Sequence, residues 1–544
     1  MKPKREYLIL TSIFIIAIIA RVAKFDDIDL VLDTVAYSRL GKNLIEFGRY
    51  AFGENYNMGV FFPPGYPIMI GLIDKIFNDL FFSAKFVSFL LSCFSIFFAY
   101  LLGRELYDKE AGLFASFLFA VYPAVLIVSV QGYSDAPFFC FLLLTVYLFL
   151  KTLKNDRLII YIFIGLLTGI TYLIRPEGLF LLLLPILQTF NLSKGRISLN
   201  KRHLFRLLIV IVIFIVIISP YALFVKGYTG RLNLSGKANI SILLSRLSGD
   251  YNYHQIVNAP DNLYDRVAFR LTDNKTQLWG WNRNKNLSLF EYIFDDPVEF
   301  LKKYQKNILQ EIYTLIKLLF PFMIPLFFSF FYRDLFVNKK RLIFLFLPFI
   351  FFFIYPIFII IEKQTLLIAV FLMIFSSGGF SRAKEIVKGL ADYYGVKTGM
   401  NLMDKLIKPF IIIILILSSL SYIKYSRFQH FDPLHAKPEE HEKAGYYLKK
   451  RFKPQYEEFN IMGNRPYVSF YSGSRFTMLP YAPVEDVIYF GRFYKVHFIV
   501  VDERTIGGWD YYKELWNMDK VRDDVELIYE DNTEKPIRIF RINY

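Results

Sequence analysis

A short segment near the N-terminus carries residues that could transfer a proton. Asp33 follows the first long apolar block and opens the stretch Asp33-Thr-Val-Ala-Tyr37, whose apolar residues recur at helical spacing as far as Gly48. The spacing predicts a helix with Asp33 at its N-cap and Gly48 at its end. A carboxylate beside a membrane loses solvation and needs a proton, a cation or a hydrogen-bond partner, so Asp33 is a candidate functional group. A plain helix cap is the alternative interpretation.

A rigid turn follows in the same segment. It reads Phe61-Phe-Pro-Pro-Gly-Tyr66-Pro67, and its prolines fix φ and exclude the helical region for the residues before them. The turn is expected to hold the segment against the membrane surface. Tyr37 and Tyr66 are then the candidate substrate contacts of this loop.

A second carboxylate lies where two later apolar blocks meet. Asp135 stands in the turn Gln131-Gly-Tyr-Ser-Asp135-Ala-Pro137, directly before an aromatic-rich block. Two carboxylates that converge from separate loops would suit a divalent cation, or a base with a second charge that tunes it. Asp135 is therefore a tentative metal ligand, with a helix cap as the alternative. The sequence requires no cofactor, and a divalent metal is the one that it could accommodate.

A third polar break reads Arg175-Pro-Glu177-Gly178. Arginine keeps its charge and needs an anion nearby, either Glu177 itself or a phosphate. Arg175 is thus a candidate phosphate ligand and Glu177 a candidate substrate contact. Further along, Trp279 and Trp281 offer aromatic faces that would stack on a sugar or anchor the chain at the membrane interface.

The composition predicts which structural elements position these residues. Of the 544 residues, 55% are hydrophobic and only 21% are charged, and the apolar residues come in blocks long enough to cross a bilayer. This predicts an all-α polytopic membrane domain of about 11 transmembrane helices. The predicted spans are 7–24, 80–103, 111–129, 136–150, 158–174, 178–190, 205–226, 311–332, 342–362, 365–380 and 409–424.

The basic residues predict the topology. With the N-terminus in the cytoplasm, every Lys- and Arg-rich loop falls on the cytoplasmic side of the cytoplasmic (inner) membrane. Segments 25–79 and 227–310 are then long outer loops. The net charge of +16 belongs to residues 1–426, since residues 427–544 are nearly neutral, so the charge reflects topology and not a nucleic-acid partner.

Residues 427–544 change in character. Strand-like and helical stretches alternate here, which predicts a small α/β extracytoplasmic domain after the transmembrane domain of residues 1–426. Other classes of site are poorly supported. Cys93 and Cys140 both lie in apolar blocks, the six histidines show no metal-binding spacing, and no phosphate-binding glycine loop occurs.

Four segments, in order, resemble the polyprenyl-phosphate-sugar-dependent integral membrane glycosyltransferases. This superfamily includes protein O-mannosyltransferases and lipid A aminoarabinose transferases and has the GT-C fold. The resemblance rests on Asp33-Thr-x-x-Tyr37, on Pro63-Pro-Gly-Tyr-Pro67, on Ser134-Asp135, and on Arg175-Pro-Glu-Gly178, and covers roughly residues 7–230.

The resemblance implies a function and roles. Asp33 would be the general base that activates an acceptor, whether a lipid, a polysaccharide or a protein. Attack on the sugar would displace polyprenyl phosphate with inversion, and Arg175 would bind that phosphate. Relatives more often have Glu where Thr34 stands, and Lys363 stands in place of a late Arg-Tyr motif, so Lys363 is expected to be the second phosphate ligand.

Two other classes of function stay open at this point. A transporter or lipid flippase is also polytopic, but would place its charges at mid-membrane in two related halves. A catalytically inactive, glycan-binding relative would explain the departures from the motifs. The position of the carboxylates in loops favours the enzyme that transfers sugar from a lipid-linked donor.

Overall fold

The computed structural model shows a helical membrane domain followed by a small mixed α/β domain. The structure describes residues 3–25, 31–53, 58–193, 196–230, 269–271, 277–279, 289–330, 338–358, 362–393, 406–417, 439–453, 458–503, 510–518, 523–531 and 535–544.

Within the described part of residues 3–230, the chain has ten α-helices and a short hairpin. The helices are α1 (Pro3–Phe25), α2 (Leu32–Phe47), α3 (Gly65–Phe77), α4 (Leu80–Leu106), α5 (Lys109–Val121), α6 (Pro123–Val128), α7 (Asp135–Thr152), α8 (Leu158–Ile174), α9 (Leu183–Thr189) and α10 (Lys201–Thr229). A 3-10 helix, Pro176–Leu182, precedes α9, and β1 (Phe190–Ser193) pairs antiparallel with β2 (Arg196–Leu199) before α10.

The rest of the membrane domain contains a second hairpin and seven helices within the described residues. Strands β3 (Phe269–Leu271) and β4 (Gln277–Trp279) pair antiparallel. The helices are α11 (Leu289–Phe294), α12 (Pro297–Leu319), α13 (Met323–Phe330), α14 (Lys339–Ile354), α15 (Glu362–Ser381), α16 (Ala383–Tyr393) and α17 (Leu406–Leu417).

The chain is a multi-pass membrane protein, but the predicted total of about 11 spans is not confirmed. Within the described residues, six helices are long and apolar enough to cross a membrane, or seven if α12 and α13, which meet at 108°, count as one broken span. Three predicted spans are instead shorter apolar helices: α8, the 3-10 helix with α9, and α17. The predicted span 111–129 is divided into α5 and α6. Hydropathy measures the length of an apolar run and does not register a break inside it.

The break between α5 and α6 is held by a buried arginine from α1. Pro123 has no backbone N–H, so the carbonyl of Phe119 lacks its usual helical donor. Arg21, which is fully buried, donates to the carbonyls of Phe119 and Ala120 at 3.0 and 3.1 Å and to Ser92 Oγ at 2.8 Å. The guanidinium therefore satisfies the carbonyls that the broken helix exposes, and it fixes the direction of α6 toward the turn that carries Asp135.

Helix α2 confirms the predicted helix but shifts its start. The N-cap is Val31, without a side-chain cap bond, and Asp33 lies in the first turn, so the prediction of Asp33 as the N-cap is wrong. Asp33 thus keeps its carboxylate available for partners outside the helix. Gly48 ends the helix with a φ of 66°, as predicted; its N–H donates to the carbonyl of Leu44, and the N–H of Arg49 donates to the carbonyl of Asn43.

The C-terminal domain is α/β, as predicted. Its helices are α18 (Glu439–Phe452), α19 (Tyr467–Ser472), α20 (Val484–Phe493) and α21 (Asp510–Trp516), and its strands are β5 (Asn460–Gly463), β6 (Arg475–Met478), β7 (Phe498–Asp502), β8 (Val525–Asp531) and β9 (Ile537–Ile542). The sheet has the order β6-β5-β7-β9-β8, with β5 parallel to both of its neighbours and β9 antiparallel to both of its own. Strand β6 is therefore an edge strand.

Replacing Arg21 by Met is expected to lower the free energy of unfolding by about 2–4 kcal/mol, because two buried carbonyls lose their donor. The measurement is unfolding in detergent. Arg5→Met, an exposed arginine on the same helix, is the matched control and should melt like the unaltered protein. Equal melting of the two variants would contradict the structural role of Arg21.

Candidate active site

Three of the sequence motifs meet around the turn 131–135. Helix α2 lies against this turn, since the hydroxyl of Thr34 donates to the carbonyl of Gln131 at 3.0 Å and Tyr37 Oη lies 3.1 Å from Ser134 Oγ. Gly132 has a φ of 70°, and a Cβ there would lie 2.7 Å from the Thr34 methyl group. The turn therefore requires glycine, which has no Cβ and accepts positive φ.

The contact of Thr34 explains a departure from the family pattern. Thr34 is fully buried and its hydroxyl faces two backbone carbonyls, those of Gln131 and Gly132. A hydroxyl donates to such acceptors, whereas a carboxylate at this position would be repelled by them. Threonine is therefore suited to join α2 to this particular turn.

Arg175 connects two acidic residues from different motifs. Its guanidinium contacts the carboxylate of Asp135, and its Nη2 donates to Glu177 Oε1 at 2.7 Å. The Arg175 guanidinium carbon also lies 5.4 Å from the centre of the Phe138 ring. The Asp135 side chain is only 3% exposed and that of Arg175 is 15% exposed, so solvent screens this pair weakly. The predicted Arg175–Glu177 contact exists, and Asp135 is a second anionic partner of Arg175.

Lys363 connects Asp33 to the same turn. It lies in the first turn of α15, with Nζ 3.7 Å from Asp33 Oδ2 and 3.5 Å from the centre of the Tyr133 ring. Asp33 is the more open of the two, with a side chain that is 41% exposed against 13% for Lys363. The two predicted phosphate ligands therefore both contact the turn 131–135. Arg175 contacts the Asp135 carboxylate, and Lys363 contacts the Tyr133 ring.

Tyr37 and Tyr66 belong to the wall of this site. Tyr66 is fully buried and donates to the carbonyl of Ala84 at 2.9 Å, while Tyr37 packs edge-on against it at 5.1 Å between ring centres. Burial raises the pKa of the Tyr37 phenol well above its ordinary value, and the charge of Asp33 raises it further. Tyr37 therefore stays protonated at neutral pH. Direct substrate binding by these two tyrosines stays a prediction.

Asp135 as a metal ligand also stays a prediction. Its carboxylate contacts Arg175, and no group of three or more His, Cys, Asp or Glu side chains that could hold a metal ion lies within the described residues. A metal here would need further oxygen ligands, such as phosphate oxygens of a bound donor.

The predicted aromatic contacts lie in the long loop segment. Trp279 is the last residue of β4, where its backbone pairs with Phe269. Trp281 lies outside the described residues. Sugar stacking by these two residues therefore stays a prediction.

The sequence interpretation missed two buried polar residues, Glu311 and Tyr355. Glu311 of α12 is fully buried, and neither of its carboxylate oxygens has a hydrogen-bond partner among the described residues. The same holds for the hydroxyl of Tyr355, on which Glu177, Arg175, Glu311 and Asp135 all act electrostatically. The sequence signal for Glu311 was a lone acid on the apolar stretch of a helix, which alone did not indicate a neighbour.

Part of the chain matches a family of known activity. Residues 62–224 match the family model described as dolichyl-phosphate-mannose-protein mannosyltransferase. The matched segment contains Asp135, Arg175 and Glu177, and Asp33 precedes it. No curated protein matches the chain.

Solved structures share the fold. The chain is similar to ArnT from Cupriavidus metallidurans bound to undecaprenyl phosphate, with a TM-score of 0.58, 10% identity, and coverage of 99% of this chain and 98% of that one. It is also similar to the Archaeoglobus fulgidus oligosaccharyltransferase in the apo form, with a TM-score of 0.51, 15% identity, and coverage of 95% and 71%. These likenesses confirm the predicted GT-C fold. With the family match, they confirm the predicted resemblance and support a membrane glycosyltransferase.

A double-mutant cycle tests the buried pair. We expect Asp135→Asn and Arg175→Met to couple by about 1–3 kcal/mol in the free energy of unfolding, because Arg175→Met leaves the buried Asp135 without its cation and Asp135→Asn leaves Arg175 with Glu177 as its carboxylate partner. The control cycle uses Lys42 and Glu46, a more exposed pair on α2, 3.6 Å apart, for which we expect about 0.5 kcal/mol or less. Additive effects of Asp135→Asn and Arg175→Met would contradict the pair.

Proposed function

We propose that this protein transfers a sugar from a polyprenyl-phosphate-linked donor to a cell-envelope acceptor, with Asp33 as the general base. The acceptor class, whether lipid, polysaccharide or protein, stays open in this proposal. The observation that carries it is the joining of Asp33 and Lys363 to Asp135 and Arg175 through one turn, 131–135. The proposal is supported by the contacts of these four residues around one turn and by a fold shared with a structure that holds undecaprenyl phosphate.

The donor phosphate is assigned to Arg175 and Lys363. Both are basic side chains in partly buried positions, where a charge-assisted hydrogen bond to phosphate is strong. Positive charge held at this point would stabilise the phosphate that leaves when the bond to the sugar breaks. Arg175 cannot lose its proton, so it would bind phosphate throughout the reaction.

Asp33 is assigned as the base because it combines exposure with a nearby cation. Its side chain remains 41% exposed, so an acceptor hydroxyl or amine can approach it. The base would take the proton from that group as its lone pair attacks the anomeric carbon, and polyprenyl phosphate would leave from the opposite face with inversion. By contrast, Asp135 is buried and bound to Arg175, which suits a residue that holds the phosphate ligand in place.

Lys363 would pair first with Asp33 and then with the donor phosphate. It lies 3.7 Å from Asp33, and an incoming phosphate would compete with Asp33 for the ammonium group. Binding of the donor would thereby weaken the hold of Lys363 on the base at the moment when the base is needed. The site has three acidic side chains, Asp33, Asp135 and Glu177, and two basic ones, Arg175 and Lys363. A divalent cation that arrives with the donor would therefore balance the negative charge that the phosphate adds.

The sugar is assigned to a second set of polar groups, those of Glu311, Tyr355 and Glu177. The carboxylate of Glu311 and the hydroxyl of Tyr355 are buried and lack hydrogen-bond partners among the described residues. Leaving such groups unpaired is costly, and sugar hydroxyls would satisfy them. Glu177 would be the third polar neighbour, and Trp279 and Trp281 would close the site from the long loop.

A lipid-linked donor requires a site at the membrane surface. The donor's polyprenyl chain stays in the bilayer, so the enzyme must bring the phosphate to polar groups at the interface. We assign the site to the outer face of the cytoplasmic membrane, with the N-terminus inside and residues 427–544 outside, because the basic loops then lie in the cytoplasm. A transporter or flippase would need charges at mid-membrane, whereas these charges lie where helices begin and end.

Asp33→Asn is expected to lower the turnover of polyprenyl-phosphate sugars about 10²- to 10⁴-fold while the affinity for undecaprenyl phosphate changes little, because the amide cannot accept the proton. The measurement is transfer in membranes from a panel of labelled donors, with binding measured on the purified protein. Asp79→Asn is the control, since Asp79 is an exposed cap of α4 and Asn also caps. Full turnover by the Asp33→Asn variant would exclude Asp33 as the base.

Lys363→Met is expected to weaken undecaprenyl phosphate binding about 10-fold or more, the loss of one charge-assisted hydrogen bond. Lys363→Arg should retain most of the affinity, because the positive charge is kept. Binding can be followed by titration with native mass spectrometry. Lys75→Met, an exposed lysine in the last turn of α3, is the control. Unchanged binding by Lys363→Met would remove Lys363 from the phosphate site.

A further inference from the structure

The C-terminal domain packs directly on the helix that carries Asp33. Val35 of α2 and Tyr467 of α19 are both buried and belong to one apolar cluster. Beyond the end of α2, the Phe52 ring meets the Phe476 ring edge-on at 5.5 Å between centres, and a Cβ on Gly53 would lie 2.6 Å from the carbonyl oxygen of Phe476. The segment that follows α2 therefore covers the edge strand β6. An apolar interface of this kind favours a fixed arrangement of the two domains.

A buried arginine lies at the centre of this interface. Arg39 of α2 is 1% exposed, and its Nη2 donates to Ser469 Oγ at 2.8 Å and to the carbonyl of Ser474 at 2.9 Å. A charge in such a place is costly unless its hydrogen bonds are made. The two domains can therefore meet without that cost only where the guanidinium reaches these acceptors, and this restricts how α2 can slide or rotate.

The acceptors are held by the turn between α19 and β6. Gly473 has a φ of 76°, and its N–H donates to the carbonyl of Phe470 at 3.1 Å, so the chain reverses here without strain. The N–H of Ser474 donates to the carbonyl of Ser469 at 2.9 Å, and Ser469 Oγ itself donates to the carbonyl of Pro466 at 2.7 Å. Both acceptors of Arg39 are thus fixed by bonds within the C-terminal domain.

The interface also has rigid support behind it. The Tyr467 ring meets the ring of buried His441 at 5.7 Å between centres, and His441 Nε2 lies 3.3 Å from Asp502 Oδ2 at the end of β7. The residue that contacts α2 is therefore packed against the central strands of the sheet. Displacement of α19 would disturb these buried contacts as well.

Arg39 is coupled to Asp33 through the helix. The two residues are six positions apart on α2, about 9 Å along its axis. A helix transmits a shift of one turn to the next, and a displacement of about 1 Å at a reacting group can lower a rate 100-fold. Asp33 faces Lys363 at 3.7 Å, so a small movement of α2 would change that distance directly.

We propose that the C-terminal domain positions the proposed base, and that Arg39 is the positioning residue through which it acts. The inference rests on the proposed function for its kinetic consequence. The docking of the domain on α2 is independent of it. In this assignment, residues 427–544 complete the active site by fixing α2 against the turn 131–135, and they need not touch the substrate.

The test compares Arg39→Met with Arg49→Met in the full-length protein. Arg49 is exposed just beyond α2, so it is a matched control for the same chemical change. Arg39→Met is expected to lower kcat about 10- to 100-fold with little change in the KM for the donor. Hydrogen exchange of the amides in 33–41 should speed up about tenfold or more, while α4 and α7 keep their protection. Arg39→Lys, which can reach one acceptor, should recover part of kcat.

Two results would overturn the proposal. One is a normal exchange rate in 33–41 for Arg39→Met, whatever its activity. The other is loss of protection throughout β5, β7 and β9, since Arg39 would then stabilise the fold of the C-terminal domain itself. If no polyprenyl-phosphate sugar is transferred even by the unaltered protein, the proposed function fails, and the exchange measurement still decides whether Arg39 holds α2.

Discussion

The compensation of charge in poorly solvated places governs the structure around the turn 131–135. Asp135 is almost completely buried beside Arg175, and Lys363 lies between Asp33 and the face of Tyr133. Each of these charges is stable there only because another motif supplies its partner. The helices α2, α7 and α15 and the segment after α8 must therefore meet at one place. An apolar bundle would allow many arrangements of its helices, and this set of ion pairs favours one.

The same principle recurs on either side of the site. Arg21 compensates the carbonyls exposed by the break before Pro123, and Nη2 of Arg39 donates to two acceptors of the C-terminal domain. The first interaction directs α6 toward the turn, and the second fixes α2 against it. Two buried arginines thus position the two segments of the site. Arg21 positions the segment that leads to Asp135, and Arg39 positions the helix that carries Asp33. A site for chemistry gains precision when its residues are held by elements that are themselves fixed in this way.

The sequence predicted what depends on local pattern. The apolar blocks predicted a membrane domain, the alternation after residue 430 predicted a small α/β domain, and the order of motifs predicted the GT-C fold. Contacts between distant residues could not be predicted, because nothing near Lys363 indicates Asp33, and nothing near Arg39 indicates Ser469. The predicted N-cap of α2 was wrong by two residues, because the N-cap is Val31, whose side chain makes no cap bond. The number of spans was also beyond the sequence, since broken helices such as α5 and α6 read as one apolar run.

The measurement that tests the account most directly is an experimental structure of the protein with a polyprenyl phosphate bound. The account predicts density for the phosphate within hydrogen-bond reach of both Arg175 and Lys363, with Asp33 facing the same space and the lipid chain running into the bilayer. A phosphate bound elsewhere, out of reach of Arg175 and with Lys363 still on Asp33, would contradict it.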